Sequence, residues 1–302
     1  MTLNEISINE NAKPVILGIE GVELTPKEIH LFKEFPPVGF IFFQRNCQNK
    51  EQVKKLIDDL KDLTQCNCPI LIDQEGGRVS RLKAPEFKEY LAPSTFKTTE
   101  SAYLNAKTMA KDLKELGLNV NCTPLLDLVF SETHNIIGDR SFGNDPVFVA
   151  KMAAAVIKGH FDEGIIPVIK HLPGHGRATT DSHEELPIVK DKIDLLKETD
   201  FKAFKLVLED IKHYPMPWGM TAHIVFEDID SQNCATQSPL IIEDVIREYI
   251  GFKGVLLSDC VTMKALKGAY FERVKKSLDA GCSIALHCSG HIDEMENILK
   301  AL

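Results

Sequence analysis

Residues 69–75 read PILIDQE, an apolar run that stops abruptly at two acids. An unbroken run of branched and leucine side chains suits a strand buried on both faces, as in a parallel sheet covered by helices. A carboxylate is costly to bury unless it is paired, so acids at the end of such a strand mark a place where the core gives way to something polar. The same grammar recurs along the chain in PVILGIEG (14–21), VGFIFF (38–43), VNCTPLLDL (120–128), PVIKHL (167–172), GMTAHIVF (219–226), GVLLSDC (254–260) and CSIALHC (282–288). With 69–75 these make eight candidate strands.

Helix-like segments lie between them, at 26–35, 49–64, 98–116, 146–163, 192–212, 239–250, 261–280 and 290–301. Pro26, Pro146 and Pro239 stand in first helical turns behind Thr25, Asp145 and Ser238, a proline-after-cap signature of helix starts. Eight alternating strand–helix units close most simply into a single α/β domain over 1–302, a (β/α)8 TIM barrel with decorated βα loops. An open doubly wound sheet is the alternative that pattern alone leaves. No linker, fixed-period repeat or low-complexity tract argues for a second domain.

Composition narrows the function classes. The 302 residues are 44% hydrophobic and 26% charged, enough for a large core. A net charge of -9 leaves no basic face for nucleic acid or an anionic membrane. The opening MTLNEISINENAKPV lacks a basic segment followed by an apolar run, so no secretory leader is expected, and no apolar stretch of about 18 residues would span a membrane. Cysteines 47, 66, 68, 122, 234, 260, 282 and 288 form no pair of CxxC elements and read as reduced, mostly buried thiols of a cytoplasmic protein.

Polar residues gather at the strand ends: Asp73 and Glu75, Asp127, Lys170 and His171, His223, Asp259, and His287. In a barrel these ends converge on the face where active sites are built. The fifth βα loop, within KHLPGHGRATTDSHEELP (170–187), adds His175, Asp181 and His183. An imidazole beside a carboxylate suits proton transfer, although DSH also reads as a solvated turn; its weight comes from sharing a loop with Lys170, His171 and His175. Asp259 suits a nucleophile, or equally a helix cap, because Ser258 and Asp259 precede a helix-like segment. His171 and His175 are four apart, but Pro173 and Gly174 prevent the helix that would align them on a metal, so no metal or other cofactor is expected and His175 is read as bracing the loop. In DQEGGRVSRL (73–82), Asp73 suits vicinal hydroxyls as acceptor and Arg81 suits hydroxyls or a carboxylate as donor. Arg140 in NIIGDRSFGNDP offers another donor, or an ion pair with Asp139 or Asp145. His287 reads as a core histidine, and Glu184 and Glu185 as solvated.

The segments IDQEGGRVSRL, IIGDRSFGNDP, KHLPGHGRATTDSHEELP, MTAHIVF and LLSDCVTMKAL occur in the order seen in family 3 glycoside hydrolases. Over roughly residues 15–290 the chain resembles the single-domain bacterial β-N-acetylglucosaminidases of that family that recycle cell-wall muropeptides. The resemblance implies a metal-free barrel that releases terminal β-linked N-acetylglucosamine with retention, through a covalent glycosyl-enzyme. It implies Asp259 as nucleophile, His183 as acid/base with Asp181 orienting it, and Asp73, Arg81, Arg140, Lys170 and His171 as sugar-binding residues. A small saccharide or muropeptide is the partner it implies, with no obligate protein partner. Close relatives usually read SDDLSM around the nucleophile, whereas Cys260, Val261 and Thr262 follow Asp259 here. The chain is also expected to lack the second domain of larger members. A β-N-acetylglucosaminide phosphorylase and a non-catalytic sugar-binding barrel are the competing functions.

Overall fold

The computed structural model describes residues 6–302; residues 1–5, the first part of the segment read as lacking a leader, lie outside the described residues. Among the described residues ten strands follow in chain order: β1 (Lys13–Gly18), β2 (Pro37–Phe42), β3 (Ile70–Ile72), β4 (Val120–Asn121), β5 (Ile166–Leu172), β6 (Ile188–Val189), β7 (Trp218–Thr221), β8 (Val225–Phe226), β9 (Leu256–Cys260) and β10 (Ile284–His287). Eight of them pair in parallel as β1-β2-β3-β4-β5-β7-β9-β10, and β10 returns to β1 through Val15↔Ala285, Ile16↔Leu286 and Leu17↔His287. That last pairing closes the barrel and rules out the open sheet. β6 and β8 form a separate parallel pair beside it.

The helices are α1 (Pro26–Glu34), α2 (Lys50–Thr64), α3 (Thr99–Leu116), α4 (Pro146–Glu163), α5 (Ile193–Glu198), α6 (Asp200–Asp210), α7 (Tyr270–Asp279) and α8 (Ile292–Ala301). The starts of α1 and α4 follow the sequence signals: Thr25 Oγ1 accepts from the Glu28 amide (3.2 Å) while Glu28 Oε2 accepts from the Thr25 amide (2.9 Å), and Asp145 Oδ1 accepts from the Val147 amide (3.0 Å).

Several boundaries differ from the sequence reading, each for a local reason. The run 120–128 pairs regularly only at Val120–Asn121, with a single further bridge from Leu125 to Lys170, because Pro124 has no amide to donate. The run 219–226 leaves the barrel after Thr221, and its end joins the outer pair as β8. The helix expected at 192–212 breaks at Thr199, which adopts φ -126 and ψ -90. Of 261–280 only Tyr270–Asp279 is helical; Gly268 turns the chain at φ +97, and Arg273 Nη1 donates to the Val261 and Met263 carbonyls instead. Segment 239–250 is wound with wider π-type turns over Ile241–Tyr249.

The strands alternate what they present inward and outward. Ile16, Ile41, Leu71, Val120, Val168, Met220, Leu257 and Leu286, one from each barrel strand, pack together and fill the interior. Neighbours such as Val15, Leu17, Phe40 and Ile70 face out against the helices. Ile41, Met220 and Leu286 also line the cavity at the strands' C-terminal ends, so the top of this plug is the floor of that cavity. Closure leaves little room between strands at Gly39, where a Cβ would stand 2.3 Å from the Pro69 carbonyl oxygen. Gly39→Ala is therefore expected to destabilise the barrel by about 1–3 kcal/mol through overpacking, read as a lower midpoint in urea.

Candidate active site

At the C-terminal ends of the strands a cavity of about 470 Å³ opens, within the rough range of 300–1,000 Å³ for small-molecule sites. A chain of ion pairs holds one wall. Lys170 Nζ, at the end of β5, lies 2.9 Å from Asp73 Oδ1 and 2.7 Å from Glu75 Oε1 just beyond β3. Arg140 grips Glu75 in a two-point fork, Nε to Oε2 at 2.8 Å and Nη2 to Oε1 at 2.9 Å. Arg81 Nη2 reaches Asp73 Oδ2 at 3.0 Å. Three cations thus face two carboxylates. Burial alone would raise the Asp73 and Glu75 pKa values, but the surrounding cations outweigh it and hold both below the ordinary carboxylate range; the carboxylates likewise raise Lys170. Arg81 Nε is buried with no hydrogen-bond partner, and its guanidinium lies over the Phe43 ring, 5.2 Å from the centroid.

A second anchor is Asp127. Its Oδ1 accepts from the His171 amide (3.1 Å) and the His175 amide (2.7 Å), and its Oδ2 meets His171 Nδ1 at 2.7 Å. One carboxylate therefore fixes both the start of the fifth βα loop and the His171 ring, leaving Nε2 as the ring's remaining polar atom in a cavity that His171 lines. Burial would raise the Asp127 carboxyl, but His171 and His175 outweigh it and hold it down at about 2. His175 braces the loop from within: Nε2 contacts Ser182 Oγ at 3.2 Å, and burial pushes the ring down to about 4, so it stays neutral. Among the described residues no cluster of three His, Cys, Asp or Glu side chains could hold a metal ion.

Asp259, near the end of β9, lines the opposite wall. Its Oδ1 accepts from the Cys260 amide at 2.6 Å. Burial works to raise its pKa, yet His223, His171 and that amide together leave it below the ordinary value, hence ionised at neutral pH. His223 is fully buried behind it, with Nδ1 2.8 Å from Thr236 Oγ1 and Nε2 3.0 Å from the Cys260 carbonyl oxygen. The fifth loop brings His183 to the same cavity with its side chain still 60% exposed. Asp181 Oδ1 accepts from both the His183 amide and Nδ1, each at 2.8 Å, which fixes the tautomer and leaves Nε2 to exchange a proton. The far side of the loop is pinned to the segment after β9 by the Ala265 amide on the Ser182 carbonyl (3.3 Å) and by Lys264 on Glu184 (3.0 Å).

Asp73, Arg81, Arg140, Lys170, His171, His183 and Asp259 thus line one cavity, with Asp181 immediately behind His183. The alternative ion pairs for Arg140 are corrected: its partner is Glu75, while Asp139 pairs with Arg78 (2.7 Å) and Asp145 caps α4. Asp259 does not cap a helix, because the residues after it form turns. His287 is buried and meets Glu294 Oε2 at 3.0 Å through Nε2, but its Nδ1 has no partner, so it is only half satisfied. Glu75 was visible as a strand-end acid without an assigned role; its position two residues after Asp73, pointing to the same end of β3, was the available signal.

Residues 27–302 match the N-terminal domain of glycosyl hydrolase family 3. A β-hexosaminidase from Photobacterium profundum is 34% identical over 295 residues, covering 96% of this chain and 84% of its own length. Among solved structures, NagZ from Neisseria gonorrhoeae in complex with N-trifluoroacetyl-D-glucosamine is 32% identical with a TM-score of 0.85, over 96% of this chain and 86% of that one. The family 3 β-N-acetylglucosaminidase of Paenibacillus sp. str. FPU-7 is 30% identical with a TM-score of 0.89, over 97% of this chain and 57% of its own.

Two consequences for stability follow from these charges. Glu75→Gln leaves Lys170 and Arg140 short of an anion and should cost about 3–5 kcal/mol, as loss of one partner of a buried ion pair does, measured by urea unfolding at pH 7. His160, buried with Nδ1 on the Val156 carbonyl, is held by burial at about 4, like His175, against an ordinary 6.5. Between pH 6.5 and 4 the unfolded chain binds these protons and the folded one does not. Stability should therefore fall as pH drops through that window, by about 1.4 kcal/mol per pH unit for each proton; denaturation midpoints across pH 4–7 test it, and a flat profile would contradict it.

Proposed function

The chain belongs to glycosyl hydrolase family 3 and is a glycoside hydrolase, and on that premise we propose that it removes terminal β-linked N-acetylglucosamine with retention, through a glycosyl-enzyme on Asp259. The observation that carries this reading is that Asp259 and the Asp181–His183 pair line one cavity together with the Asp73–Lys170–Glu75–Arg140 chain. The named activity of the Paenibacillus relative and the aminosugar bound to the Neisseria one support the choice of sugar.

In the proposed reaction Asp73, Arg81, Arg140, Lys170 and His171 hold the ring through its hydroxyls. Asp259, already ionised, attacks the anomeric carbon as the bond to the leaving oxygen breaks. His183, protonated at Nε2, gives that oxygen its proton, and Asp181 stabilises the ring in either protonation state by its bond to Nδ1. Water then attacks the glycosyl-enzyme while neutral His183 accepts its proton through the same nitrogen. A histidine thus stands where most retaining glycosidases use a second carboxyl group. The exposure of His183 fits this cycle, since it meets solvent water without leaving the cavity. The whole of 1–302 is proposed to act as one catalytic domain, in the cytoplasm, on muropeptide-type saccharides; among the described residues no helix is long and apolar enough to cross a membrane.

Asp259→Asn should abolish turnover of an aryl β-N-acetylglucosaminide while the folded spectrum persists; retention of a tenth of the rate would remove Asp259 as nucleophile. His183→Ala should lose on the order of 10²- to 10⁴-fold on a disaccharide, whose alkoxide needs a proton, and far less in the glycosylation step of a nitrophenyl glycoside. A burst of phenolate before a slow steady state is expected for the latter. Equal losses on both substrates without a burst would mean that His183 binds rather than transfers a proton.

A further inference from the structure

Two cysteines on the cavity wall have no part in this reaction. Cys260 ends β9, and Cys288 directly follows β10, the neighbouring parallel strand. Both line the cavity, and their thiols are near enough to influence each other electrostatically. Cys260 Sγ also lies 3.0 Å from Thr262 Oγ1. Its backbone is occupied on both sides, the amide on Asp259 Oδ1 (2.6 Å) and the carbonyl on His223 Nε2 (3.0 Å). Two thiols thus stand on the ends of neighbouring strands, within reach of solutes entering the cavity, and one of them belongs to the residue that fixes the Asp259 carboxylate.

The pair differs from the other thiols. Burial raises Cys47, Cys68 and Cys282 to about 12. It would raise Cys260 too, but Cys288 and the Thr262 hydrogen bond outweigh it and lower Cys260, while Cys288 is pushed well up. Of the two, Cys260 is therefore the thiol shifted toward the thiolate that attack on a disulfide requires.

We propose that Cys260 and Cys288 form a thiol-exchange site that accepts low-molecular-weight disulfides and closes to an internal disulfide beside Asp259, stopping sugar turnover. In the first step the Cys260 sulfur attacks one sulfur of R–S–S–R; a new S–S bond joins Cys260 to that sulfur, the original S–S bond breaks, and the departing R–S⁻ takes up the proton that leaves the Cys260 thiol. In the second, Cys288 sulfur displaces the remaining R–S⁻, which takes the Cys288 proton. Two protein thiols are oxidised and one R–S–S–R is reduced to two R–SH. A disulfide brings its sulfurs to about 2.05 Å and constrains both Cβ atoms. Closing it pulls on the Cys260 backbone that holds Asp259 and His223, so the carboxylate loses its position.

The loss of turnover rests on the proposed reaction, whereas the cross-link does not, and one experiment reads the two separately. The intact protein is incubated with glutathione disulfide at neutral pH, sampled for aryl β-N-acetylglucosaminide turnover and for peptide mapping, then treated with dithiothreitol. A Cys260–Cys288 cross-linked peptide should accumulate, with turnover falling in step and both changes reversing. Cys288→Ser, or Cys288→Ala if the first fails to fold, should stop at a glutathione adduct on Cys260. Cys260→Ser or Cys260→Ala should leave Cys288 unmodified and keep its own starting rate through the incubation. Free Cys260 and Cys288 after treatment, in protein whose thiols react once unfolded, would overturn the site. A cross-link without loss of rate would overturn its effect on turnover, and a cross-link in protein that never cleaves the glycoside would refute the reaction while leaving the site standing.

Discussion

The Lys170 ammonium, held between Asp73 and Glu75 at the bottom of the cavity, is the contact on which the rest of the site depends. It joins the ends of β3 and β5, and through Glu75 it reaches Arg140 on the loop after β4. Removing Glu75 would leave the buried Arg140 guanidinium without its partner, a far larger penalty than a surface pair carries. Since the cluster has one more cation than carboxylate, it also favours oxygen-rich ligands: hydroxyls can take up the donor capacity that Asp73 and Glu75 do not satisfy, as at the unpartnered Arg81 Nε.

The opposite side of the cavity is built on another principle. Asp259 accepts one backbone amide and is otherwise held ionised by the charge of His223 and His171, and His183 stands on a loop that carries its own carboxylate. One wall is thus overdetermined by ion pairs, while the groups proposed to react are held by few bonds each. That division suits a site where the sugar must be gripped in one position and the acid/base must serve two successive steps.

The fold was legible because its information is local. Each buried strand is a short apolar run, the starts of α1 and α4 are each a cap followed by proline, and the polar strand ends already mark one face. Closure was not local: it depends on Leu17 finding His287 at the other end of the chain, and nothing in either run states that partner. The same limit explains why the ion-pair alternative for Arg140 named its acidic neighbours in sequence, Asp139 and Asp145, whereas its partner is Glu75 beyond the end of β3. It also explains the meeting of Cys260 and Cys288 on one cavity wall, visible in sequence only as two ordinary thiols. Helix breaks at Thr199 and before Tyr270 were hidden because the apolar pattern continues across them while the backbone turns. His175 was the reverse case: Pro173 and Gly174 exclude a helix there, and bracing hydrogen bonds were the reading that remained.

The outer pair of β6 and β8 gives the fifth loop a second fixed end. Asp127 holds its start through the His175 amide, and the Val225 amide holds its finish through the Pro187 carbonyl. His183 is therefore a group on a short tether rather than at the end of a free arm. What the tether sets is an effective concentration of imidazole above the cavity, which falls as the segment between the two anchors grows. In the proposed reaction, lengthening this segment would dilute the imidazole over the sugar at only a small entropic cost to the fold, so loop length would act chiefly on rate.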